Sequence, residues 1–150
     1  MLKFGKVISF YSFVFVILSV NFSFAQSEGI IKYRKNVMKS TAGHMGAIGD
    51  ILKNNLPIKE HLVEHARSLM QNSKMTISIF QKGSEIGRTN AKKSIWEKWT
   101  KFEQASKAFV EESTRLLELA ERGDIEAFTK QVRKTGKTCG SCHRYFKKRD

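Results

Sequence analysis

The chain has 150 residues, enough for one domain and hardly for two. Its 41% apolar and 27% charged residues suit a soluble globular protein and exclude both a multispanning membrane protein and a disordered chain. A single proline, Pro57, argues against a loop-rich β-sandwich, and two cysteines are too few for a disulfide framework. The net charge of +13 calls for an anionic partner: nucleic acid, an anionic membrane or an acidic protein.

Lys3 and Lys6 precede an apolar run from Val7 to Val20, and Ser23-Phe24-Ala25 follows with small residues at both cleavage-determining positions. This layout predicts a secretory signal peptide over residues 1–25, cleaved after Ala25, with 26–150 as the mature domain. A retained anchor is the competing reading, since the run is near the lower limit for a span. Cleavage takes Lys3 and Lys6 away and leaves a net charge of +11. Export to the periplasm then disfavours nucleic acid as the partner.

From Gly29 the apolar period is helical: Ile31, Met38, Met45, Ile48 and Leu52 fall on one face. Asn54-Asn55-Leu56-Pro57 interrupts it, and Pro57 suits the first position of a second helix carrying Ile58, Leu62, Ala66 and Leu69. Residues 81–90 read as a loop. Asn90 is placed to cap a third helix facing inward with Ile95, Trp99, Phe102, Ala105, Phe109, Leu116 and Leu119. Gly123-Asp124 supplies a stop and a new cap. The fourth helix then carries Ile125, Phe128, Val132, Thr135, Cys139, Cys142 and Phe146. Four helices with short links predict an all-α, antiparallel up-down four-helix bundle.

Periodicity alone gives no function, but Cys139-Gly140-Ser141-Cys142-His143 does. Cys-x-x-Cys-His is the attachment pattern of c-type haem. Thiols at i and i+3 share a helical face and can add to the two porphyrin vinyl groups. His143 can then serve as the proximal iron ligand. A zinc site would need further ligands, because no second cysteine pair exists. A thioredoxin-like redox pair would need a βαβ setting. A plain disulfide would leave His143 unexplained.

A haem motif near the end of a four-helix bundle resembles the class II c-type cytochromes, the cytochrome c′ family. The resemblance covers residues 28–150 and rests on Tyr33-Arg34-Lys35-Asn36-Val37-Met38-Lys39, Gly43-His44-Met45-Gly46, Ile95-Trp96, Gly136-Lys137-Thr138 and Phe146. It implies one covalent haem c. It also implies a distal residue from the first helix, apolar in high-spin members and methionine in a low-spin branch. Met38 falls at that position, which favours the His/Met branch and a one-electron carrier. Met45 is the rival ligand, Met38 as flexible core filler is the third reading, and an iron left open would bind nitric oxide or carbon monoxide. The resemblance further puts Arg34 near a haem propionate, which a guanidinium fork suits. It makes Trp96 a haem contact, with Trp99 as the alternative, and lets Gly136 bring its helix close to the haem. Family members often dimerise through their first two helices, so a homodimer is allowed.

His61-Leu62-Val63-Glu64-His65 matches an inverted zinc-peptidase pattern. A bundle this small has no room for the third ligand and substrate cleft, so His61 and His65 read as flank residues of the second helix. His44 lies about 600° around the helix from Met38 and is expected at the surface or between subunits. Lys130, Arg133, Lys134, Lys137, Arg144, Lys147, Lys148 and Arg149 crowd the last 21 residues. They form either a solvated face or a ring that steers acidic redox proteins, or an anionic membrane surface, toward the haem edge. The expected function is exported electron transfer without enzymatic chemistry. A haem-free structural or metal-binding bundle is the alternative from another class.

Overall fold

The computed structural model describes the backbone of residues 5–149 and side chains from Gln26 onward. The leader cleavage expected after Ala25 falls outside the described side chains. The elements are α1 (Gly5–Lys53), α2 (His61–Met75), α3 (Ser94–Glu97), α4 (Trp99–Glu121) and α5 (Ile125–Phe146). Four long helices pack as an antiparallel four-helix bundle in the order α1, α2, α4, α5, with α5 returning against α1. Among the described residues no helix is long and apolar enough to cross a membrane.

Helix ends follow local chemistry where the sequence shows it. Asn55 takes a left-handed φ of 47° past the end of α1, and Leu56 N–H closes the turn on the Ile51 carbonyl at 3.0 Å. Gly123 does the same after α4 at φ 68°, and the Asp124 carboxylate then accepts the Ala127 N–H at 3.0 Å to start α5.

Two expected starts are corrected. Pro57 does not open α2. The chain first makes turns in which His61 and Leu62 donate to Ile58 and Lys59, and the helix begins at His61. Asn90 does not cap the third helix either, because the helix begins only at Ser94 with Lys93 at its cap position, while the Asn90 backbone carbonyl accepts from Lys148 N–H at 2.7 Å. Lys92 N–H donates to Phe146 at 2.9 Å alongside an Ala91–Lys147 bridge, so residues 90–92 are pinned to the end of α5. The third helix starts at Ser94 and is broken at Lys98, which leaves the one-turn α3 before α4.

The interior divides in two. Ile48, Ile51, Leu62, Ala66, Leu69, Leu116, Leu119 and Phe128 make an aliphatic core, against which Met45 packs. Val37, Ile79, Phe80, Ile95, Phe102 and Phe146 make an aromatic one at the other end. Phe102 is its hub, with ring centroids 4.7 Å from Phe80, 5.4 Å from Phe146 and 5.6 Å from Trp99.

Candidate haem site

The aromatic end collects the residues singled out by sequence. Met38 from α1, Trp96 from α3, Trp99 from α4 and Cys142 from α5 all pack against the same cluster. Each arrives through its helical register: Met38 follows buried Val37, and Cys142 precedes buried Phe146 by one turn. Met45, the rival distal residue, is elsewhere. It lies on the aliphatic core, and its Cε would stand 3.8 Å from a Cβ at Gly136. Gly136 therefore faces Met45.

Cys139 and Cys142 are free, half-buried thiols on one face of α5. Burial raises both thiol pKa values, and the Cys139 sulfur adds to the effect at Cys142, pushing it up to about 11. A hydrogen bond with Thr138 offsets part of the rise at Cys139. Both remain protonated at neutral pH, the form that adds as S–H across a double bond. His143 is exposed overall, yet partial desolvation and then Lys147 lower its pKa. Its imidazole is therefore neutral at pH 7, as a metal ligand must be.

Arg34 is only 3% exposed and holds a loop rather than a surface position. One terminal nitrogen donates to the Ser84 hydroxyl at 2.9 Å and the Ile79 carbonyl at 3.4 Å. The other donates to the Ser84 carbonyl at 3.0 Å and the Thr89 hydroxyl at 2.9 Å. The guanidinium also lies 4.6 Å from the Phe80 ring centroid and 5.7 Å from that of Trp96. Every one of these acceptors is neutral, and burial lowers the Arg34 pKa. Among the described residues no ion pair balances this buried cation.

The Trp96 indole N–H donates at 3.1 Å to the carbonyls of both Phe80 and Gln81. Its N–H is thereby taken, and its ring lies 6.1 Å from the Phe80 ring centroid at an inclination of 55°. The loop itself was legible only as a loop. Gly87 sits at φ 124°, and a Cβ there would come within 2.8 Å of Ile31 Cδ1, so glycine lets the loop close over α1. Ser84 and Thr89 were missed, because a partner 50 or 55 residues from Arg34 leaves no periodic signal.

The donor set fits a covalently attached haem. Two thiols spaced i,i+3 are joined by a neutral imidazole, an aromatic wall and a buried cation that lacks a carboxylate. Arg34→Gln should therefore loosen the whole loop. Several buried acceptors lose their donor at about 1–3 kcal/mol each, giving a total cost of about 3–5 kcal/mol. Arg34→Lys should rescue little, since a point charge cannot span four acceptors. Urea unfolding and proteolytic nicking within residues 81–90 report both effects; an unshifted midpoint in Arg34→Gln would show the clamp to be idle.

A separate groove of about 340 Å³ lies between α4 and α5, lined by Ala105, Ala108, Glu112, Lys134, Lys137, Thr138 and Ser141. It includes neither cysteine of the motif nor Met38, so it is a flank of the site and not its interior.

Known proteins agree with this geometry. The family described as cytochrome C′ matches residues 29–147. Cytochrome c′ of Rhodospirillum rubrum is 32% identical over 124 residues, 82% of this chain and 84% of that protein. The structure of cytochrome c prime from Shewanella frigidimarina superposes with a TM-score of 0.77 at 27% identity, over 82% of this chain and 97% of that one. A nitric oxide complex of a cytochrome c prime variant from Alcaligenes xylosoxidans does so with a TM-score of 0.76 at 25% identity, over 83% and 97%. The family match spans both the haem motif and the helix that carries Arg34 and Met38, and the chain belongs to the cytochrome c′ family.

Proposed function

We propose that this protein is an exported mono-haem cytochrome c′ whose distal iron face is open and takes nitric oxide or carbon monoxide, alongside one-electron transfer. Family membership gives it one covalent haem c, which supplies a redox-active iron with an exchangeable coordination position. The observation that carries the gas-binding reading is the likeness to the nitric oxide complex across 83% of the chain.

The chain's own residues divide the work. Cys139 and Cys142 tether the group through thioethers, and His143 presents a neutral imidazole. Arg34 contributes uncompensated positive charge for a propionate. Phe80, Trp96, Trp99 and Phe102 exclude water. Met38 stands beside the distal face as an apolar wall. Titrating the reduced protein with carbon monoxide tests this reading. Saturable binding by a high-spin starting state is expected, and a low-spin protein that ignores the gas would reject it.

The second reading, Met38 as sixth ligand, is favoured by one observation: its thioether packs on the same cluster as Cys142. His/Met ligation would make the protein a carrier alone, with a raised potential.

The redox partner is read as an acidic protein. Lys134, Lys137 and Arg144 are exposed around the motif, whereas Lys148 holds the loop through the Thr89 carbonyl at 3.1 Å. Neutralising Lys134, Lys137 and Arg144 together should slow association with an acidic partner about tenfold at low salt. The difference should vanish as the Debye length shrinks toward about 3 Å at 1 M. Stopped-flow electron transfer across a salt series measures it, and equal slopes for both proteins would reduce the basic face to solvation.

A further inference from the structure

His44 on α1 and His65 on α2 meet across the helix seam with their Nδ1 atoms 3.0 Å apart. Their ring centroids are 5.3 Å apart and the planes are inclined by 51°. Both residues are half-buried. The haem chemistry uses neither, and His44 had been expected on an open or inter-subunit surface.

Packed residues lie along both helices on either side of this pair. On the core side Ile48, Ala66 and Leu69 are fully buried. Further along, Asn72 donates to the Ser40 hydroxyl at 3.2 Å. The two imidazoles are carried by two helices that pack against each other, which limits their relative movement.

We propose that His44 and His65 form a two-histidine site for a divalent transition metal ion of the imidazole-preferring class, copper or zinc. Nitrogens each about 2.1 Å from one ion stand about 3.0 Å apart when they bind at a right angle, and about 3.4 Å apart at the tetrahedral angle. The observed 3.0 Å is the right-angle value, which favours tetragonal Cu(II) and lets Zn(II) bind after a small spread. The hydrogen shared between the two Nδ1 atoms moves to the outer Nε2 of its ring. Each ring then turns its Nδ1 lone pair to the ion, and no net proton is released. Among the described residues no third side chain completes a metal cluster, so solvent fills the remaining positions.

Titrating the haem-loaded protein with Zn(II) by calorimetry and with Cu(II) by electron paramagnetic resonance tests the site. One ion per chain is expected, with a copper spectrum showing two nitrogen ligands and a higher melting temperature in Zn(II). His44→Asn and His65→Asn, on different helices, should each weaken binding at least tenfold and abolish the melting shift. An unchanged Soret band confirms that each variant is folded. His61→Asn should change affinity by less than about threefold, because exposed His61 pairs with Glu60 at 3.9 Å and acts on His65 only through its charge. Undiminished binding in folded His44→Asn or His65→Asn would overturn the proposal. So would half an ion per chain with dimerisation, or a tenfold loss in His61→Asn.

Discussion

Replacing Cys139 and Cys142 together by alanine is expected to abolish covalent haem and to lower the melting temperature by roughly 10–20 °C. The two sulfurs share one face of α5, so no other pair of side chains can form the two thioethers. A group that binds only the folded chain, at a thousandfold over its Kd, contributes about 4 kcal/mol. A covalent tether sustains that occupancy without free ligand. For a domain of this size each kcal/mol moves the midpoint by several degrees. Acid–acetone extraction followed by a pyridine haemochrome assay reads the covalent bond, and a thermal melt reads the stability. The single variants should each retain one thioether. Extraction that strips the wild type of haem would remove the basis of the assignment.

The sequence revealed the parts of this site that depend on neighbours in the chain. Cys139, Cys142 and His143 sit within five positions, so their shared helical turn follows from the rise of an α-helix. The stop at Gly123 and the cap at Asp124 are equally local, and both appear where local rules put them. The up-down bundle follows from four apolar stripes, even though the connection from α2 to α3 is the long segment 76–93.

What stayed hidden involves choice of partner over long separations. Arg34 could be located on α1 but not matched to Ser84 and Thr89, because hydrogen bonds to an irregular loop leave no period in the sequence. Asn90 carries the right chemistry for a cap, yet residues 90–92 are pinned in extended form to the end of α5 and the helix begins only at Ser94. The tertiary contact overrides a preference worth about 1 kcal/mol. His44 could be assigned an angle on its helix, while the neighbour at that angle depended on how α2 packs. Met38 shows the same limit in its most consequential form. Helical register brings it to the aromatic end and separates it from Met45, but register does not say whether a sulfur wall becomes a sulfur bond.

Met38→Ala should accelerate carbon monoxide and nitric oxide association by roughly 10–100-fold while leaving the iron high-spin. The half-buried thioether packs against the cluster that contains Phe102 and Phe146. On the proposed open-iron reading, a diatomic bound beside Met38 would have to push it into an already filled space. Accommodating extra atoms in a packed interior costs about 1–3 kcal/mol, and each 1.4 kcal/mol is a factor of ten. Removing the thioether would remove that cost and leave His143 on α5, the proposed proximal ligand, untouched. Met38→Leu restores most of the volume and should return binding close to the wild-type rate, which separates bulk from sulfur chemistry. Met45→Leu should change neither rate nor spin state, because Met45 packs on the aliphatic core. Flash photolysis of the carbon monoxide complex measures the rates, and the oxidised absorption spectrum measures the spin state. A wild type that is low-spin, with a far-red sulfur-to-iron band that Met38→Leu erases, would make Met38 the sixth ligand and the protein an electron carrier alone.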